Sequence, residues 1–167
     1  MIAIRPALPE EIPRLRELVE RSFRTLGAAY YSQAVIDAAW GTAIRLDPEL
    51  VHAGTYFVAL REGALVGCGG WSDRLPTVRS LPLPTPRAEV RAMFVDPDHK
   101  GTGAGRALLQ AAEQAIFAAG FPSAYLVATR SGLDFYRRAG YRELGEYQVE
   151  LPGGERLGVT AMERRPA

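Results

Sequence analysis

The chain has 167 residues, the size of one typical domain, with 20 basic and 19 acidic side chains and a net charge of +1, so no strong field argues for nucleic acid or an anionic membrane as partner. A single cysteine, Cys68, excludes an internal disulfide and fits a reducing cytoplasm. Charges interrupt every apolar run of the opening "MIAIRPALPEEIPRLREL", and no apolar stretch approaches spanning length, so the expectation is a soluble cytoplasmic protein without signal peptide or membrane span.

In chain order, "IAIR" reads as a first strand. Pro9 opens a helix over 9–23, whose Ile12, Leu15, Leu18, Val19 and Phe23 recur at helical spacing; Pro13 falls in its tolerant first turn. A second helix begins at Ser32, with Val35, Ile36 and Trp40 on one side and Gly41 as its stop. Residues 54–71 read as a hairpin around the turn "REG". Four prolines make 73–87 a loop. "AEVRAMFV" is a buried strand ending at Val95, followed by a glycine turn and the helix "GRALLQAAEQAIFAAG". "SAYLVAT" is another buried strand, a short helix runs from Ser131 to Gly140, and "GEYQVEL", "PGGE" and "RLGVTAME" form a closing hairpin. The order β, α, α, β, β, β, α, β, α, β, β implies an α/β (α+β) fold, a single domain over 1–167 with one mixed sheet and helices on its faces.

The chemistry concentrates in "MFVDPDHKGTGAGRALLQ", residues 93–110. A helix N-terminus presents unpaired N–H groups and a partial positive charge, and binds anions best where no side chain holds them off. Gly101, Gly103 and Gly105 clear that approach. A Walker loop would need Lys and a hydroxyl residue after its last glycine, where this chain has Arg106-Ala107. A dinucleotide fingerprint needs G-x-G-x-x-G, and here the last glycine comes one place early, with no acid closing a strand about 20 residues on. Elsewhere, Cys68 sits among small apolar residues as a buried inert thiol. His52 and His99 belong to no Cys/His spacing set and the Asp96-x-Asp98 pair lacks the rest of a calcium loop, so no metal is expected. Tyr30, Tyr31, Trp40 and Trp71 read as core aromatics.

"AEVRAMFVDPDHKGTGAGRALLQAAE" resembles the acetyl-CoA-binding core of the GNAT N-acetyltransferases, a strand and turn followed by Arg/Gln-x-x-Gly-x-Gly/Ala opening a helix, with Lys100 standing where that family usually has Arg or Gln. "FYRRAGY", residues 135–141, resembles the family's second signature, and the element order agrees along nearly the whole chain. The resemblance implies a sheet splayed between the strand ending at Val95 and the one through Leu126, with coenzyme A in the opening. Its pyrophosphate would rest on the backbone of Lys100, Gly101, Thr102, Gly103, Ala104, Gly105 and Arg106, and its pantetheine arm on the strand edge at Met93, Phe94 and Val95. Tyr136 matches the family's tyrosine and is the candidate proton donor to the leaving thiolate. Glu89 is the candidate base, directly or through water; its place six residues before Val95 predicts that both side chains share a face. The two N-terminal helices and 73–87 would wall the acceptor pocket. The implied activity is acetyl transfer to the primary amine of a small molecule or peptide, the alternative being a noncatalytic acyl-CoA sensor sharing the same cofactor site. The exposed closing hairpin offers an edge for a homodimer.

Overall fold

The computed structural model describes all 167 residues. Seven strands, β1 (Ile2–Pro6), β2 (Tyr56–Arg61), β3 (Ala64–Ser72), β4 (Ala88–Val95), β5 (Ala124–Thr129), β6 (Arg142–Glu150) and β7 (Arg156–Arg164), form one sheet in the order β1-β2-β3-β4-β5-β7-β6. Five helices accompany it: α1 (Ile12–Gly27), α2 (Gln33–Ala39), α3 (Pro48–His52), α4 (Ala104–Ala118) and α5 (Leu133–Arg138). The mixed sheet with helices on both faces is the architecture expected from the pattern of elements. None of the helices is long and apolar enough to cross a membrane.

Local chemistry explains the helix boundaries. A short 3-10 turn at Pro9–Glu11 precedes α1, and Glu11 accepts the Leu8 N–H at 2.8 Å while pairing with Arg5 at 2.6 Å. Ser32 caps α2 by accepting the Val35 N–H. Helix α3 was not among the elements expected, although Asp47-Pro48-Glu49 is a start signal: Asp47 caps it by accepting the Glu49 N–H and Pro48 takes the first turn. Its five residues leave no apolar periodicity to detect.

The two faces of the sheet carry separate cores. Leu109, Ala112 and Ile116 of α4 meet Ala88, Val90 and Leu126, with Tyr136 of α5 in the same cluster. On the opposite face Leu15, Leu18 and Val19 of α1 meet Tyr56, Val58 and Cys68, joined by Leu50 and Val51 of α3. Fully burying one such leucine contributes roughly 1.5–3 kcal/mol, so these stripes fix which side of the sheet each helix covers.

The feature that shapes the site is an irregularity in β4. Against β3, Val90 pairs with Trp71 and Arg91 with Gly70, and the next pair is Phe94 with Cys68. Ala92 and Met93 therefore stand opposite the single Gly69, a β-bulge that bends and twists the strand. Ala92 carries φ +49, unusual for a residue with a Cβ, and its carbonyl is held by the hydroxyl of the fully buried Tyr56 at 2.6 Å. A Cβ on Gly69 would lie 2.5 Å from Met93 Sδ and 3.2 Å from Met93 Cα, so any larger residue opposite the bulge would have to displace the Met93 side chain.

The bulge also corrects the expectation that Glu89 and Val95 share a face. Ala88 and Val90 before it and Met93 and Val95 after it pack on the α4 side, whereas Phe94 packs with Tyr56 and Cys68 on the α1 side. The extra residue inverts the alternation, leaving Glu89 opposite Val95.

Candidate active site

Parallel pairing of β4 with β5 lasts two residues, Ala88 with Ala124 and Glu89 with Tyr125, and beyond it the strands diverge. The Asp96 N–H reaches the Val66 carbonyl at 2.8 Å, which sets the phase of the ladder. Phe94, opposite Cys68, directs its backbone groups to β3, while those of Val95 turn toward the opening. Phe94 thus offers the cleft its ring rather than its amide. The Val95 carbonyl receives the Ser22 hydroxyl from α1 at 2.8 Å.

Two cavities meet in this opening and share Met93, Phe94 and Tyr136. One lies toward the mouth of α4, between Phe23 and Leu26 of α1 and Lys100, Gly105 and Phe135. The other lies toward the loop after α2 and the segment 73–87, with Arg45, Thr77 and Arg91 in its wall.

At the mouth of α4, Gly101 and Gly103 have φ of +80 and +91, and a Cβ on either would meet nothing within 4 Å. Their reason is conformational. Gly105 is helical, and a Cβ there would sit 3.4 Å from both the Phe135 ring and Val95 Cγ2, the near edge of ordinary contact, so neither its backbone angles nor a clash demands glycine. No side chain caps α4, and the first intrahelical bond runs from the Ala107 N–H to the Gly103 carbonyl at 3.0 Å. The N–H groups of residues 103–106 are left open. The Thr102 hydroxyl is occupied by the His99 carbonyl at 2.7 Å. Nearby acids are drawn away: Arg21 of α1 binds Asp96 and Asp98, each at 2.7 Å. With Lys100 and Arg106 alongside, the mouth of the helix favours an anion.

Tyr136 is 8 % exposed, with edge-on contacts to Phe135 at 5.2 Å and Tyr141 at 5.8 Å between ring centroids. Burial alone pushes its hydroxyl pKa above the usual tyrosine value of 10.0, with no charge or hydrogen bond opposing it. It is a neutral phenol facing the cleft at physiological pH. Glu89 is 1 % exposed; Arg87 donates to it at 3.1 Å and the Thr77 N–H at 3.4 Å. It lines a separate polar cavity with Arg74, Arg79 and Arg87, and the structure does not bring it into either cavity that holds Tyr136.

A model of the acetyltransferase (GNAT) family matches residues 12–141, from the first residue of α1 through Tyr141. The chain belongs to the GNAT family. A GCN5-related N-acetyltransferase from Rhodopseudomonas palustris is similar over 98 % of this chain and 95 % of its own, at 24 % identity and a TM-score of 0.78. The PaiA N-acetyltransferase of Thermoplasma acidophilum, solved in complex with coenzyme A, is similar over 99 % of both chains at 19 % identity and a TM-score of 0.68. YncA of Salmonella typhimurium, solved with its cofactor acetyl-CoA, is similar over 99 % of this chain and 94 % of its own, at 19 % identity and a TM-score of 0.66.

Within this GNAT chain the structure adds residues that the sequence reading did not single out. Arg91 is a charge inside a strand read as buried, a signal in itself, and it lines the cavity on the 73–87 side. Tyr56 and Ser22 act on the cleft through backbone carbonyls, which no sequence pattern announces. Cys68 is fully buried and burial pushes its thiol up to about 12, consistent with an inert core residue. Neither His52 nor His99 joins a group of three or more His, Cys, Asp or Glu side chains able to hold a metal ion.

Proposed function

We propose that this protein transfers the acetyl group of acetyl-CoA to a primary amine by direct attack of the amine, with no acetylated enzyme between. The observation that carries the reading is the parting of β4 from β5 after two residue pairs, beside a helix mouth with open N–H groups. Family membership and the coenzyme-bound structural relatives support it. The open N–H groups of residues 103–106, with Lys100 and Arg106, would hold the pyrophosphate. The turn at Gly101 and Thr102 shapes their approach, and the β4 edge from Met93 to Val95 would take the pantetheine arm. Acetyl-CoA supplies an acetyl thioester whose leaving group is a thiolate.

Direct attack is favoured because the only cysteine is sealed in the core, so no thiol nucleophile faces the cleft. A C–N bond forms as the C–S bond breaks. Tyr136 gives its phenolic proton to the departing sulfur and regains one from solvent as the product leaves. The proton shed by the amine passes to Glu89 through an intervening water, since that carboxylate is anchored by Arg87 in the neighbouring cavity. The reduced, buried Cys68 fits a cytoplasmic enzyme.

The test is calorimetry with coenzyme A followed by thiol release from acetyl-CoA across an amine panel. Tyr136→Phe should lower kcat about 10²-fold or more while coenzyme affinity persists. Tight coenzyme binding with no turnover on any amine would replace this reading by an acyl-CoA sensor.

A further inference from the structure

Given that reading, we infer that the acceptor amine carries a carboxylate, received by Arg91 with Arg45 beside it. Arg91 is 8 % exposed, yet its guanidinium enters no ion pair; its one hydrogen bond runs from Nη1 to the Leu75 carbonyl. The two acids whose charge reaches it are engaged elsewhere. Asp47 caps α3 at 3.0 Å and lies 3.7 Å from Arg45, and Glu89 is held by Arg87 at 3.1 Å. Across the whole protein His99 Nδ1 is the sole side-chain polar atom both sealed from solvent and without a partner. The remaining donors of Arg91 are therefore not sealed, and the residue lines a cavity with Arg45, Thr77 and Tyr136.

A mostly buried cation whose one hydrogen bond goes to a neutral carbonyl is disfavoured until an anion pairs with it. Burial lowers the Arg91 pKa, and Arg45 pushes the same way, against the raising influence of Glu89 and Asp47. A bound carboxylate would relieve that field. The planar guanidinium fork matches a carboxylate in two parallel hydrogen bonds. Arg91 and Tyr136 line the same cavity, so a carboxylate at the first would turn the amine of the same molecule toward the second. A purely structural Arg91 would tether the 73–87 segment through Leu75 and treat all acceptors alike. The class of acceptor inferred is a free amino acid or a peptide presenting a carboxylate beside its amine.

The experiment measures kcat/KM with acetyl-CoA for α-amino acids, their amides, the corresponding decarboxylated amines, short peptides with N-terminal Asp or Glu, and O-phosphoethanolamine. Expected is a carboxylate-bearing acceptor preferred about 10- to 100-fold over its amide, the scale of hydrogen bonds to a charged partner. Turnover on the free acid or on the acidic peptide identifies the source, and either supports the inference. Arg91→Met should collapse the acid-to-amide ratio, chiefly through KM. Arg45→Gln, at a more exposed position, should reduce the ratio more mildly and serves if Arg91→Met does not fold. Equal use of acids and amides, preference for the phosphate, or a ratio unmoved in both variants would overturn the inference. Coenzyme A binding without acetylation of any carboxylate-bearing amine overturns it too, leaving the coenzyme site intact. No coenzyme binding at all would instead remove the reading beneath it.

Discussion

Replacing Gly103 with alanine separates the fold from the site. Gly103 has φ +91 and open space where a Cβ would go, so the substitution brings backbone strain without a clash. A left-handed alanine costs about 1–2 kcal/mol, which in a chain of this size lowers the melting temperature by roughly 2–8 °C. Gly63→Ala is the matched control, since Gly63 has φ +79, equally open surroundings and a place in the turn between β2 and β3, and lines neither cavity of the cleft. Both variants should lose similar stability in denaturant titrations. They should part on coenzyme A. In Gly103→Ala the new methyl stands where an anion must approach, and the strained turn misaims N–H groups at the helix mouth. Losing one charge-assisted hydrogen bond, about 1.5–3 kcal/mol, weakens binding on the order of 10- to 100-fold. Calorimetry would read this directly, with Gly63→Ala binding like the parent. If Gly103→Ala binds coenzyme A as tightly as Gly63→Ala, the pyrophosphate does not rest on this turn and the reasoning fails.

Three further outcomes are expected. Glu89→Gln should slow turnover by about 10²-fold while coenzyme A affinity persists; unchanged turnover would assign the amine proton to solvent. Tyr56→Phe removes the hydroxyl partner of the half-buried Ala92 carbonyl and should cost about 0.5–1.5 kcal/mol in denaturant titrations, whereas unaltered stability would show that the bulge needs no such anchor. For Cys68, burial raises the thiol from 9.0 to about 12. The native thiol keeps a proton that the unfolded one loses, so its contribution to stability is intact below pH 9 and declines as pH rises toward 12. Cys68→Ala should flatten the fall in denaturation midpoint between pH 9 and 11, and a thiol reagent at pH 8 should label the native parent no faster than it unfolds.

Much of this was legible because local signals agreed with the tertiary structure. The apolar spacing of α1, the Ser32 cap, the hairpin turn at Gly63 and the alternating glycines each have a direct physical counterpart. The β4 bulge was not legible: alanine carries no preference for positive φ, and Ala92 is held there by a hydroxyl 36 residues away in sequence. Since strand faces are inferred by counting residues, one hidden insertion of this kind reversed the predicted side of Glu89. The glycines illustrate a subtler gap, since their pattern is uniform while two serve dihedral angles and the third is an ordinary helical position facing Phe135. Arg91 was visible as an anomaly, yet only the ion-pair pattern around it shows that its charge is uncommitted.

Consecutive residues of α1 grip both parts of the wall beside the α4 mouth, Arg21 through the acids of the β4–α4 turn and Ser22 through the Val95 carbonyl. Helix, strand end and turn are thereby tied together, although α1 is distant from the glycines in sequence. A tilt of α1 would have to tear a hydroxyl from the strand and two carboxylates from one guanidinium before the cleft could widen. On the proposed function, adjustment to acceptors of different bulk would fall to the opposite bank, the proline-rich segment 73–87, with the α1 side held at a constant width.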